Sequence, residues 1–443
     1  MNTNTKIIIT IVFLLFSGSC YAIQLDLQTC INMGIKNNPK IKASIYNTLS
    51  KSEQVKSSFL DLVLPEISIT RSRQRLKSVD SSGAVETDYL DQTADVTSFN
   101  ISKDILKCLT DLTYYHRTKL EKKLSEYQQK MATFNLIRDI SATFYNILKT
   151  EEDIKSLKDA IAHLKVNLEF AKALFKKRLI SYTGVLNAEV DLEDVKQKLS
   201  VEKNRKIYYL NYLKTLIGIP LDTKITLKEV KPLSYSLERS FEECLKYALK
   251  HRPELSILEF RKKIYEDEKK IWLKSILPKL DIGISYNEYS RDYDQLGRGL
   301  FGYYDRDFDI SYWNTYISMR WELTSVPKSL VQIKRTKFDI KSIEEQIEDA
   351  KYSIMNEVRT YYLSVQEAIK RIYTAKVALK AAEENYRQAE EKFRLLIGSI
   401  SEVLDAQQRL TRAKANYNQA VLDFQISLIN LKYSMGMLEG AER

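Results

Sequence analysis

Glycine and proline are scarce, with 12 and 7 among 443 residues, and most of them fall between positions 218 and 302 or near 33 to 83. By length alone the chain could hold two or three globular domains, but so little punctuation leaves long uninterrupted elements instead. Cysteine and histidine are scarcer still. Cys20, Cys30, Cys108 and Cys244 form no Cys-x-x-Cys pair, and His116, His163 and His251 stand far apart in the sequence, so nothing suggests a metal. His116 and His163 fall within a long helical pattern and His251 at a helix end, which gives them surface or capping roles. A phosphate-binding glycine loop and a nucleophile elbow are both missing, so neither an enzyme nor a cofactor is expected. After residue 16 no apolar run approaches the roughly 18 residues that a spanning helix requires.

Charge is plentiful and mixed. A net charge of +11 comes from 69 basic residues spread among 58 acidic ones along helical faces. Basic and aromatic residues do not interleave as on a strand-binding surface, so nucleic acid is not the expected partner and anionic lipid fits better. The N-terminus has the pattern of an export signal. Lys6 supplies the positive charge, Ile7 to Phe16 the apolar stretch, and Ser17 to Ala22 small residues for cleavage after Ala22. Lipidation at Cys20 is the alternative, although Ser17 sits where such a signal usually has an aliphatic residue.

What the chain does contain is itself, twice. TCINMGIKNNPKI followed by LPEISI (positions 29–69) returns as ECLKYALKHRPEL followed by LPKLDI, pairing Pro39 with Pro253 and Pro65 with Pro278. Further on, Phe175 to Leu186-Asn187-Ala188 has the spacing of Phe393 to Leu404-Asp405-Ala406, and the LKTLIG ending at Gly218 matches the LKYSMG ending at Gly436. Register held this closely implies two equivalent halves, 23–218 and 241–436, joined by 219–240 and followed by a short tail, 437–443.

Each half opens with a short helix (28–37, 241–251) stopped by its proline, then a second helix to about 62 or 276. Cys30 and Cys244 hold equivalent positions on the apolar side of the short helices and read as small core residues. Beyond Pro65 and Pro278 the apolar period changes to two: Leu280, Ile282, Ile284 and Tyr286 alternate with polar residues, as do Trp313, Thr315, Ile317, Met319 and Trp321. Two strands per half are therefore expected, joined by polar loops over about 79–93 and 288–307. Heptads then run without glycine or proline from about 103 to 180 and from 328 to 397, long enough for helices on the order of 100 Å. After short breaks at 181–184 and 398–401, helices of about 30 residues return.

This order of elements behind an export signal, with its paired helix-proline-strand openings and the Leu404-Asp405-Ala406 turn exit, resembles the TolC-like outer-membrane efflux proteins over nearly the whole mature chain. The resemblance implies a mainly α fold, in which duplicated long helical hairpins build a trimeric tunnel and each of three chains gives four strands to one shared twelve-stranded barrel. It implies a passive outer-membrane exit duct with a periplasmic extension, partnered by a periplasmic adaptor and an inner-membrane transporter. Four strands alone would leave open edges in lipid, and strands of about 10 residues suit a tilted crossing. Trp313 and Trp321 would mark the membrane interfaces.

The helix-to-helix turns would form the periplasmic tip: Ser181, Thr183 and Gly184 in one, and Gly398, Ser399, Glu402 and Asp405 in the other. Glu402 and Asp405, spaced i, i+3, can point to one side. By themselves they read as helix-start acids favoured by the dipole; the resemblance implies rings of carboxylates that constrict the entrance and attract cations. Two departures from the family pattern stand out. Its tip glycine is replaced by Arg178 and Leu396, so Gly184 and Gly398 are expected to supply the permissive backbone, and Arg71, Arg73 and Arg75 follow Ile67 and Ile69 on one strand face. Arginine in mid-bilayer costs about 2 to 4 kcal/mol, so these three are expected at headgroups or in the lumen. A non-conducting periplasmic coiled-coil protein or lipoprotein is the alternative function.

Overall fold

The structure, a computed structural model, describes residues 23–80, 88–178, 181–228, 237, 239–295, 308–395, 397 and 400–437. The export segment with Cys20, and the turn residues Gly398 and Ser399, lie outside the described residues. The duplication is visible in the order of elements. Strand β1 (Ile23–Leu25) leads to helices α1 (Leu27–Asn37) and α2 (Pro39–Val63), strands β2 (Glu66–Asp80) and β3 (Asp88–Asp104), and helices α3 (Lys107–Lys176) and α4 (Tyr182–Ile217). After β4 (Ile225–Leu227) the second half follows with α5 (Phe241–His251), α6 (Pro253–Lys274), β5 (Lys279–Gln295), β6 (Phe308–Arg320), α7 (Ser325–Arg394) and α8 (Ile400–Ser434).

Proline does the same work in both halves. Asn38 and Arg252 are extended (ψ 125° and 123°) because a following proline disfavours the helical region, and Pro39 and Pro253 then start the next helix where a missing N–H costs nothing. Ser240 adds a reciprocal capping box with Glu243. The returning helices end at left-handed glycines, Gly218 and Gly436, both with φ 70°. Helices α3 and α7 have 70 residues each, about 105 Å at 1.5 Å per residue. No helix of the described residues is long and apolar enough to cross a membrane.

The chain forms two compact units, and each draws on both repeats. Among the described residues, one unit comprises those from 23 to 47, 126 to 257 and 348 to 437. Its two apolar cores mirror each other: Cys30, Ile140, Phe144, Leu213 and Ile217 are buried in the first, Cys244, Ala248, Val358, Phe424 and Leu431 in the second. Burial pushes the Cys30 thiol up to about 12, so it stays protonated and serves as a small apolar residue, as expected. Strand β1 pairs in parallel with β4, Leu25 opposite Leu227, and Leu25 and Ile225 add to the first core. This pairing inside the connecting segment was not legible in the sequence, because three-residue strands carry no periodicity.

The repeats diverge at one buried position. Asn38 donates through its side chain to the Leu216 carbonyl at 2.9 Å. Its counterpart Arg252 is ion-paired with Glu357 and approaches Glu254 at 3.4 Å, with its guanidinium 5.3 Å from the Tyr433 ring centre. Burial holds the Glu357 carboxyl above its ordinary range, against the pull of Arg252.

The second unit, 48–125 and 258–347, contains a four-stranded antiparallel sheet ordered β2-β3-β5-β6, with β2 and β6 as its edges. Its strands run further than the sequence reading allowed. Residues 79, 80, 88–93 and 288–295 of the expected loops belong to strands, because polar residues there still pair: β2 matches β3 without interruption from Glu66↔Ser102 to Asp80↔Asp88, while 81–87 and 296–307 lie outside the described residues. Lost apolar alternation was read as loop, yet a ladder held by backbone bonds does not require an apolar face.

Candidate functional site

At the first helix-to-helix turn, the Arg178 amide donates to the Phe175 carbonyl at 2.8 Å, and Ser181 is the extended N-cap of α4, without a side-chain capping bond. Phe175 and Tyr182 pack ring to ring at 5.6 Å across the turn. Just behind it, Leu168 of α3 and Val185 and Leu192 of α4 are buried together, with Ala188 against them. Gly184 was expected to relax the backbone here, and it does not: its amide bonds to the Ser181 carbonyl within the first turn of α4. The left-handed residue is Arg178 itself, φ 62°, the sole non-glycine with positive φ among the described residues. A side chain in that region costs roughly 1 to 2 kcal/mol. Replacing Arg178 with glycine is therefore expected to raise stability by about 0.5 to 1 kcal/mol after the added freedom of the unfolded chain is subtracted. Thermal unfolding followed by circular dichroism checks this, and a lower midpoint would show that the arginine makes a compensating contact.

In the second turn, Glu402 lies in the first turn of α8 and Asp405 one turn further along, so only Glu402 is a helix-start acid. Both are exposed, while Ala406 and Leu410 turn inward and are buried. That separates an inward apolar stripe from an outward acidic edge, as the i, i+3 spacing required. Leu395 and Ile397, 70% and 74% exposed, lie at the same turn. Thr183 and Ser181 are exposed at the other.

The sheet has two unlike faces. The strand registers put Ile67, Ile69, Ile101, Ile284, Trp313 and Ile317 on one face, and Ser68, Thr70, Asn100, Ser285, Asn287 and Asn314 on the other. On the polar face the Tyr316 ring covers Gly283, where a Cβ would come within 2.5 Å of it, so the glycine makes room for the aromatic. The apolar face carries Trp313 in a ring pair with Tyr286 at 5.2 Å, and Trp321, just past β6, donates through its indole N–H to the Ile276 carbonyl at 3.1 Å. The two tryptophans are about 26 Å apart along the strand, roughly 20 Å in height after a tilt of about 40°. Pro65 and Pro278 open the strands at the same end as Trp321.

Arg71, Arg73 and Arg75 share the face of Ile67 and Ile69, since β2 has no bulge. Arg73 is bidentate to Asp95 directly opposite on β3, with both N···O distances 2.6 Å. Parity offers a clue to this partner: Asp95 has the parity of Phe99 and Ile101 in the weakly apolar strand. Superposing Pro65 on Pro278 places Arg73 on Tyr286 and, through the two hairpin registers, Asp95 on Trp313. An ion pair in the first half thus occupies the place of an aromatic pair in the second.

Two of the three histidines have side-chain or backbone partners. His116 bonds the buried Asp267, and His251 stacks on Tyr247 at 4.0 Å and meets its carbonyl at 3.0 Å. No group of three or more His, Cys, Asp or Glu among the described residues could hold a metal ion.

Comparison with known proteins gives a consistent picture. The sequence model of the Outer membrane efflux protein family matches residues 244–437, nearly all of the second repeat. The Outer membrane protein TolC of Vibrio cholerae is 20% identical over 416 residues, which cover 93% of this chain and 91% of that protein. Among solved structures, the Campylobacter jejuni CmeC outer membrane channel superposes with a TM-score of 0.77 at 18% identity, covering 93% of this chain and 85% of that one. The open-state MtrE outer membrane channel of Neisseria gonorrhoeae gives 0.67 at 16% identity, covering 93% and 89%.

Proposed function

We propose, for a chain that belongs to the TolC-like outer-membrane efflux protein family, the role of a passive exit duct through the outer membrane with a helical extension into the periplasm. The observation that carries this reading is the sheet, with an apolar face bordered by Trp313 and Trp321, a polar opposite face, and two unpaired edge strands. Unpaired backbone edges are intolerable in hydrocarbon, so β2 and β6 must pair with further strands. Three chains closing one barrel satisfies them and turns the polar faces into the wall of an aqueous lumen. The inner-membrane transporter and periplasmic adaptor supply energy and cargo selection, and the exposed Leu395 and Ile397 offer the adaptor an apolar foothold at the tip.

In this reading Glu402 and Asp405 line the narrowest part of the periplasmic entrance, with Ser181, Thr183 and Gly184 of the other turn beside them and Gly398 and Ser399 leading into the acids. Six carboxylates in one constriction focus a negative potential on the permeating ion. Trimers reconstituted in planar bilayers are expected to conduct and to favour cations. The double substitution Glu402→Gln, Asp405→Asn should lower the cation-to-anion permeability ratio several-fold and weaken block by multivalent cations, leaving the trimer intact. Unchanged selectivity would leave Glu402 as a helix-start acid and Asp405 as an exposed surface acid. Trimers that do not conduct at all would favour the non-conducting coiled-coil alternative.

A further inference from the structure

On the outward face of the sheet, β2 carries a column of three arginines, Arg71, Arg73 and Arg75, on the hairpin side of Ile67 and Ile69. Arg73 is engaged by Asp95, whereas Arg71 stands 3.9 Å from the same carboxylate and is 73% exposed at its side chain. The row through Arg71 continues with Thr97, Glu288 and Ser311, so the acid in that row is two strands away, about 10 Å at the usual strand spacing. The β2 side of this face is therefore cationic. Two to three rows nearer the helices, a mainly apolar trough on the sheet is lined by Ile101, Ile282, Ile284, Thr315 and Ile317, with Lys103 at its margin. A cationic group that begins one row beyond an aromatic pair, above an apolar trough, has the chemistry of a lipid site: phosphate oxygens accept from guanidinium N–H groups while acyl chains cover the aliphatic rows.

We propose that each chain binds one phosphorylated lipid of the outer leaflet on this face, its phosphate held by Arg71 with support from Arg73 and Arg75, and its acyl chains lying along Ile101, Ile284 and Thr315. The inference rests on the outer-membrane reading, because the hairpin ends of the strands, where the arginines lie, then face outward and the helical ends face the periplasm. Position 284, which holds an isoleucine, is the repeat counterpart of Arg71, so the site belongs to the first half of each chain alone. A trimer would hold three such lipids rather than six.

Native mass spectrometry of the membrane-extracted trimer tests it, with a lipid A-type diphosphorylated glycolipid, its dephosphorylated analogue and inorganic phosphate as probes. Wild type is expected to retain the phosphorylated form about tenfold better than the analogue, Arg71→Gln to lose that preference, and Arg71→Lys to keep most of it. Because Arg73 and not Arg71 makes the bidentate bond, the sheet should survive both changes. Equal retention of the two lipids, an unaffected Arg71→Gln, or displacement by millimolar phosphate as a free anion would overturn the proposal. A protein that is missing from the outer membrane would overturn the duct reading as well, whereas an outer-membrane trimer without phosphate preference would remove the lipid site alone.

Discussion

Ile317→Arg should sharply reduce the amount of assembled protein recovered from the outer membrane, while Ser318→Arg, one residue along the same strand, should assemble normally. Ile317 is 75% exposed in β6, opposite Ile282 on the apolar face, and Ser318 lies on the polar face opposite Asp281. An arginine facing the bilayer midplane costs about 2 to 4 kcal/mol, and in the proposed trimer the cost would recur in every copy of the chain. Heat-modifiable trimer bands from outer-membrane fractions give the readout. Equal recovery of the two variants would mean that this face does not meet lipid.

The second large effect is expected at the left-handed glycines. A Cβ on Gly218 would lie 2.9 to 3.1 Å from the Cβ and backbone atoms of Asn37, which closes the first short helix. Alanine there is expected to cost about 2 to 4 kcal/mol, combining a left-handed backbone with overpacking against atoms that cannot rotate away. The equivalent substitution at Gly436 should cost less, about 1 to 2 kcal/mol, since its nearest neighbours, the His251 carbonyl and the Arg252 amide, stand 3.1 to 3.4 Å off. Comparing the thermal midpoints of the two variants separates backbone strain from crowding, and equal shifts would assign the whole effect to φ.

Much of this architecture could be read from the chain because it is written in long-range pattern. The paired prolines fixed where helices stop and strands start, and sustained heptads fixed the two long helices within a few residues at each end. Strand ends were misjudged for a physical reason: past Trp313 and Phe99 the chain leaves the apolar belt, both faces become polar, and periodicity vanishes although the backbone ladder continues. The β1–β4 pair is too short to carry a pattern. At the tip, the exposed acids Glu402 and Asp405 and the buried Ala406 followed from helical spacing, but Arg178 in a left-handed conformation did not. Side-chain identity states a preference for φ, and a turn between two packed helices can override it.

The mingling of the two repeats in one compact unit has a consequence for biogenesis. The first repeat's core is completed by Leu422 and Tyr433 of the last helix, and the Tyr433 hydroxyl donates to Asn135 at 2.7 Å, nearly 300 residues earlier. A polypeptide emerging N-terminus first cannot close that core until almost its last turn of helix has been made. The side of that core which meets Leu422 and Tyr433 must wait open until the whole second repeat has been made, so the unfinished chain exposes apolar surface that invites misassembly.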